Sequence, residues 1–113
     1  MNNYIAIFRE PDGRTDTHTP DEIARHREHW AAWWGKWSAT ENLSSGSALT
    51  LEGCLITGDG STILNQIHRV GTEIVGGFLM LRAESLEEAT QIAASCPIYE
   101  FGGYAEVREF QKQ

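Results

Sequence analysis

Two histidines, a cysteine and a run of tryptophans are the residues of this chain best suited to chemistry. His26 and His29 stand three apart in PDEIARHREHWAAWWGKW, about one helical turn from each other. A neutral imidazole in a pocket can take a proton from an acidic C–H or deliver one to a leaving group. His29, at the edge of an apolar stripe and one turn before Trp33, is the candidate acid/base. The plain alternative is a boundary histidine hydrogen-bonded to backbone or water. His26 lies deeper in the stripe, where a satisfied core residue is the ordinary outcome. As a pair they could chelate a metal, but their directions diverge by about 60° and no third ligand is evident, so no metal is expected. Cys96 could act as a nucleophile beside His29. Yet it ends a helix, where the dipole disfavours the thiolate, and a buried small hydrophobe is the better reading. Glu106 and Arg108 share a strand face and could orient a polar ligand, or pair with each other or across the sheet. No glycine-rich phosphate cradle, Ser-His-Asp set or zinc spacing is present, and no cofactor is expected.

The element that must position these groups is the stretch from Thr19 to Leu43. Thr19, Pro20 and Glu22 form a capping box with proline at the first helical position. At about 100° per residue, Ile23, His26, Trp30, Trp33, Trp34 and Trp37 share one face. All four tryptophans of the chain sit on this helix. Each can bury on the order of 200 Å², so core packing is their first use and lining an aromatic pocket a compatible second. Trp33 and Trp34 point about 100° apart, so one of them must face the pocket rim or a partner.

Along the rest of the chain, Asn3–Phe8 reads as a first strand, and Pro11, Asp12 and Gly13 as a turn cluster. Leu43–Leu51 follows as a second strand, weakened by Gly46. Within Cys54–Asn65, Gly58-Asp59-Gly60 between apolar pieces predicts a tight hairpin. Ile67–Thr72 has no firm placement. Ile74–Arg82 suits a central strand, with Gly76 and Gly77 marking a bulge or a close backbone approach. Ser85 and Glu88 open a second helix, with Leu86, Ala89, Thr90 and Ala93 as its inner face, and Pro97 ends it. Tyr99–Gly103 reads as a loop, and Tyr104–Phe110 alternates as a last strand. The order is that of a ferredoxin-like β-α-β-β-α-β fold with an extra hairpin, an α+β domain of residues 1–113. Both helices then cover one sheet face, and a second copy of the chain is the expected cover for the other.

Composition narrows the partners. A net charge of −7 over 113 residues leaves no basic stripe for nucleic acid. No apolar run approaches the ~20 residues of a membrane span, and the first residues do not read as a signal peptide, so a cytoplasmic protein is expected. Cys54 and Cys96 lie in no CxxC spacing and read as reduced thiols.

The layout resembles the YCII-related family, including its DGPF-type branch, over nearly the whole chain. The matching pieces are YIAIF, His29 followed by Trp30 and Trp33, Leu43 with Ser45-Gly46, GGFLMLRAESLEEATQIAASCP and GGYAEVREF. The resemblance implies a small ferredoxin-like chain that dimerises into an α+β barrel, with a pocket between sheet and first helix. It implies a His–Asp catalytic pair and, among attributed activities, dehydrohalogenation of a lactone. His29 falls at the family histidine, but Cys96-Pro97 replaces the family's Asp-Pro. The DGPF tetrapeptide is also absent: Arg69-Val70-Gly71-Thr72-Glu73 stands there, and Glu109 replaces a proline. His29 and Cys96 are thus the catalytic candidates, with Tyr4, His26, Trp30, Trp33 and Arg108 as the expected pocket. Two functions follow: a cofactor-independent lyase or isomerase moving a proton on a small organic acid or lactone, or a module that binds a small molecule without turning it over.

Overall fold

The structure is a computed structural model and describes residues 1–112. Strand β1 runs Asn2–Pro11, with Tyr4, Ala6, Phe8 and Glu10 buried in strict alternation. It outlasts the expected Asn3–Phe8 because the alternation continues through a charged residue, Glu10, which faces inward. A 3-10 turn at Arg14–Thr17 then leads to helix α1, Pro20–Ser38. Its N-terminus is the capping box read from the sequence: Thr19 Oγ1 accepts from Glu22 N–H, and the Glu22 carboxylate accepts from Thr19 N–H.

Strand β2 (Leu43–Ala48) is followed by the short hairpin strands β3 (Leu55–Thr57) and β4 (Thr62–Leu64). Strand β5 (Glu73–Ala83), helix α2 (Leu86–Ala94), a 3-10 turn (Pro97–Phe101) and strand β6 (Tyr104–Glu109) complete the order. The main sheet is β2-β5-β1-β6, every neighbour antiparallel. That is the ferredoxin-like order, with β3–β4 as a separate two-stranded sheet.

The pairing of β1 with β5 slips between Phe8 and Arg9: Phe8 opposes Gly77, but Arg9 opposes Val75. Gly76 is the extra residue of this bulge. The slip keeps Glu10 and its partner Ile74 together on the buried side.

The core lies between the sheet and the helices. Tyr4, Ala6, Phe8, Leu79 and Leu81 supply its floor. From above come Trp33 of α1 and Ala89, Ile92 and Ala93 of α2. The inner face of α2 therefore differs from the expected one. Leu86 is half exposed and Thr90 faces solvent, while Ile92 points in. Ser85 caps this helix by accepting from Glu88 N–H, but the Glu88 carboxylate takes Asn42 Nδ2 and does not close the box.

On the opposite sheet face, Ile5 pairs with Met80 and Ile7 with Phe78, and all four are half-buried with no helix over them. The hairpin stands apart from the body. Ile56 and Ile63 are each 65% exposed, and the whole chain measures 46 × 41 × 19 Å with a radius of gyration of 15.6 Å. A compact domain of 100 residues has about 13 Å. No described helix is long and apolar enough to cross a membrane.

Candidate functional site

Between α1 and the β2–β5–β1 part of the sheet lies a cavity of about 420 Å³. Its walls are aromatic: Phe8 from the floor, Trp30 and Trp34 from the helix and Phe101 at the end. Trp30 meets Phe8 edge to face at 5.8 Å and Trp33 likewise at 5.8 Å, so the indole is held from two sides. The ionisable groups at the wall are Glu10, Arg14, His26 and Arg27.

Glu10 is 5% exposed. Arg14 Nη2 lies 2.7 Å from its Oε1, brought there by the 3-10 turn that follows β1. Burial raises the Glu10 pKa above the ordinary carboxyl value, although Arg14 and then His26 pull the other way. Room for the carboxyl comes from Gly76. A Cβ built at that glycine would overlap Glu10 Oε1 and Cδ.

At the other end of the cavity one carboxylate holds both histidines. His26 Nδ1–H donates to Glu100 Oε1 at 2.8 Å, and His29 Nδ1–H donates to Oε2 at 2.7 Å. Desolvation opposes ionisation of Glu100, but the two hydrogen bonds and the nearby imidazoles outweigh it and hold the carboxyl below the ordinary range. His26 Nε2 accepts from Trp30 Nε1–H at 3.1 Å, so both its ring nitrogens are engaged. Phe101 is sandwiched between the His18 ring at 3.8 Å and the His26 ring at 4.2 Å. The 3-10 turn Pro97–Phe101 thus docks on α1 through a carboxylate and a ring.

Of the residues singled out from the sequence, His26 and Trp30 line the cavity. The others do not. His29 is one residue off the inward stripe, with its side chain 49% exposed at the rim. Trp33 turns toward α2, where its Nε1–H donates to Ser95 Oγ at 2.9 Å, and Trp34 faces the cavity instead. Tyr4 is 2% exposed within the core. Arg108 pairs with Ile5 on the face away from the helices. Cys96 is 3% exposed, and burial pushes its thiol up to about 11, so it is held as an unreactive thiol. Among the described residues no three His, Cys, Asp or Glu gather to hold a metal.

Sequence reasoning missed Glu10, Arg14 and Glu100. The signal for Glu10 was present, since it continues the period of Tyr4, Ala6 and Phe8 and is an inward charge on a core strand. Glu100, 71 residues from His29, left no local signal.

A family model described as YCII-related domain matches residues 18–111. Among solved structures, the chain is similar to 5-chloro-2-hydroxyhydroquinone dehydrochlorinase from Burkholderia phenoliruptrix AC1100, in complex with 2,5-dihydroxybenzoquinone. The two superpose with a TM-score of 0.52 at 17% identity, over 97% of this chain and 95% of that one, a likeness of fold. No curated protein matches the chain.

Proposed function

The chain belongs to the YCII-related family, and on that premise we propose that it is a small cofactor-independent enzyme of the lyase or isomerase type. It moves a proton on a small organic acid, lactone or comparable ring compound in the cleft under α1. One observation carries this reading: Glu10, Arg14, His26 and Arg27 converge on a single aromatic-walled cavity. Apolar walls with a few ionisable groups are the usual make-up of a site that seats a small ligand and acts on it. Glu100 holds His26 and His29 through Nδ1, and in this reading His29, its side chain 49% exposed, passes protons to water. The dehydrochlorinase of similar fold supports a ring substrate and an elimination reaction.

A second reading has its own support. His26 has both nitrogens engaged and His29 stands outside the cavity lining, as in a module that binds its ligand without converting it. Titration with 2,5-dihydroxybenzoquinone followed by thermal shift tests the site. At a hundred times its dissociation constant a ligand adds about 2.7 kcal/mol, and Trp30→Ala should abolish that gain. Chloride release from a chlorinated hydroxyhydroquinone, lowered in His29→Ala, separates enzyme from binder. Binding without release would leave the binder.

The uncovered sheet face is assigned to a second copy of the chain. Ile5, Ile7, Phe78 and Met80 form its apolar centre, and Glu106 and Arg108 flank it on β6. Sedimentation should give a dimer that Ile7→Asp converts to monomer; a monomeric wild type would remove this assignment.

A further inference from the structure

We infer that Glu10 is the group that carries the proton in this cleft, and that its substrate is a small planar carbonyl compound with an acidic C–H, bound as the enolate against Arg14 and Arg27. The inference rests on the proton-transfer reading above and names both the residue and the substrate class.

Three observations lead to it. The imidazole inside the cavity has no free nitrogen, since His26 Nδ1 is on Glu100 and Nε2 takes the Trp30 N–H. Glu10 is the carboxyl that lines the cavity, and among the described residues Arg14, on Oε1, is its one ion-pair partner. Oε2 takes part in no ion pair among the described residues. Finally, the fold keeps a place for this carboxyl. The bulge puts Gly76 beneath it, where any side chain would displace it. A carboxyl deprived of water is also a stronger base than an exposed one, which suits weakly acidic carbon.

The charges at the wall select the ligand. Glu10 as carboxylate is offset by Arg14, and Arg27 adds a second cation. The site therefore favours a ligand on which one negative charge develops. Phe8, Trp30 and Trp34 favour a flat one. In the step, Glu10 takes the proton from carbon next to the carbonyl. The C–H electron pair forms a C=C bond, and the carbonyl oxygen becomes an enolate facing the arginines. Return of the proton to a different carbon completes an isomerisation. Alternatively the enolate expels a leaving group from the next carbon with its bonding pair, and Glu10 releases its proton to water.

Deuterium exchange into α-angelica lactone, tetronic acid and acetylacetone, read by NMR in D₂O, tests this. The wild type should speed exchange, with a rate that rises with pH as Glu10 ionises and then levels. Glu10→Gln should lose about a hundredfold or more of that rate, with the melting temperature not lowered. Gly76→Ala, which moves the same carboxyl from beneath, should lose activity as well. Glu10→Gln exchanging at the wild-type rate across pH would overturn this inference and leave the proton-transfer reading standing. A wild type no faster than buffer, with tryptophan fluorescence still reporting salicylate binding, would overturn both.

Discussion

The Glu10 carboxyl lies against the backbone of Gly76, in the volume that a side chain there would fill. Because the obstacle is a side chain and not backbone, Gly76→Ala should fold, at the low end of the roughly 1–3 kcal/mol of overpacking. In the double variant with Glu10→Ala that cost should largely vanish. Urea denaturation of the four proteins measures the coupling, and simple additivity would mean that the two do not share the space.

Glu10 also sets a pH dependence whose sign is opposite to that of most carboxyls. Its folded pKa is raised, by burial first, with Arg14 and His26 opposing. The stability it contributes is therefore present below the ordinary value of 4.5 and is lost as pH rises through the folded value. Glu10→Gln removes the charge and keeps the shape. Its melting temperature should draw ahead of the wild type as pH rises through that window, and then hold a constant lead. A displacement of one unit in pKa corresponds to about 1.4 kcal/mol. A lead that instead narrows with rising pH would show the ion pair with Arg14 outweighing desolvation.

The capping box, the indole stripe and the strand order were legible in the sequence because each depends on local periodicity. Thr19, Pro20 and Glu22 announce a helix start, and Ile23 to Trp37 announce its buried side. The histidine pair was legible as a pair but not in its orientation. About 60° of helical rotation separates an inward His26 from a half-exposed His29, and the partner that fixes both, Glu100, arrives from a distant turn. Glu10 was hidden differently. A charged residue next to Pro11 reads as the end of a strand, although its own strand's alternation carries it inward, and the room its carboxyl fills is opened by Gly76 on the partner strand. Sites built from long-range contacts and register slips are the part that a single sequence conceals.

The two thiols should react very differently. Cys54 is exposed, with Sγ 3.4 Å from Asn65 Oδ1, while Cys96 is buried with its thiol pushed up to about 11. Iodoacetamide on the folded protein at neutral pH should label Cys54 alone, and Cys96 should become reactive only with unfolding. Mass spectrometry of tryptic peptides reads the outcome. Rapid native labelling of Cys96 would reopen it as a nucleophile.

Adjacent tryptophans should separate stability from binding. Trp33 is 7% exposed and donates to Ser95, so Trp33→Ala should cost roughly 3–5 kcal/mol. Trp34 is half-buried along the cavity wall, so Trp34→Ala should cost clearly less while weakening binding of a planar ligand. Chemical denaturation and fluorescence titration of the same two variants give both quantities. Equal stability losses would place both indoles in the core.

Glu100 ties the turn after α2 to α1, and its pKa is lowered. Desolvation is outweighed there by the His26 and His29 hydrogen bonds. A carboxyl of this kind contributes stability above its ordinary value of 4.5, lost as pH falls through the lower folded value. Its side chain is 39% exposed, so solvent screens the contribution to about 1 kcal/mol or less. The wild type should therefore exceed Glu100→Gln slightly at neutral pH, and the gap should close on acidification. Function should respond more than stability, because without the carboxylate neither imidazole is oriented and Phe101 loses its second tether to α1. A Glu100→Gln variant with unchanged ligand affinity and unchanged NMR signals from the His26 and His29 rings would mean that the carboxylate orients neither of them.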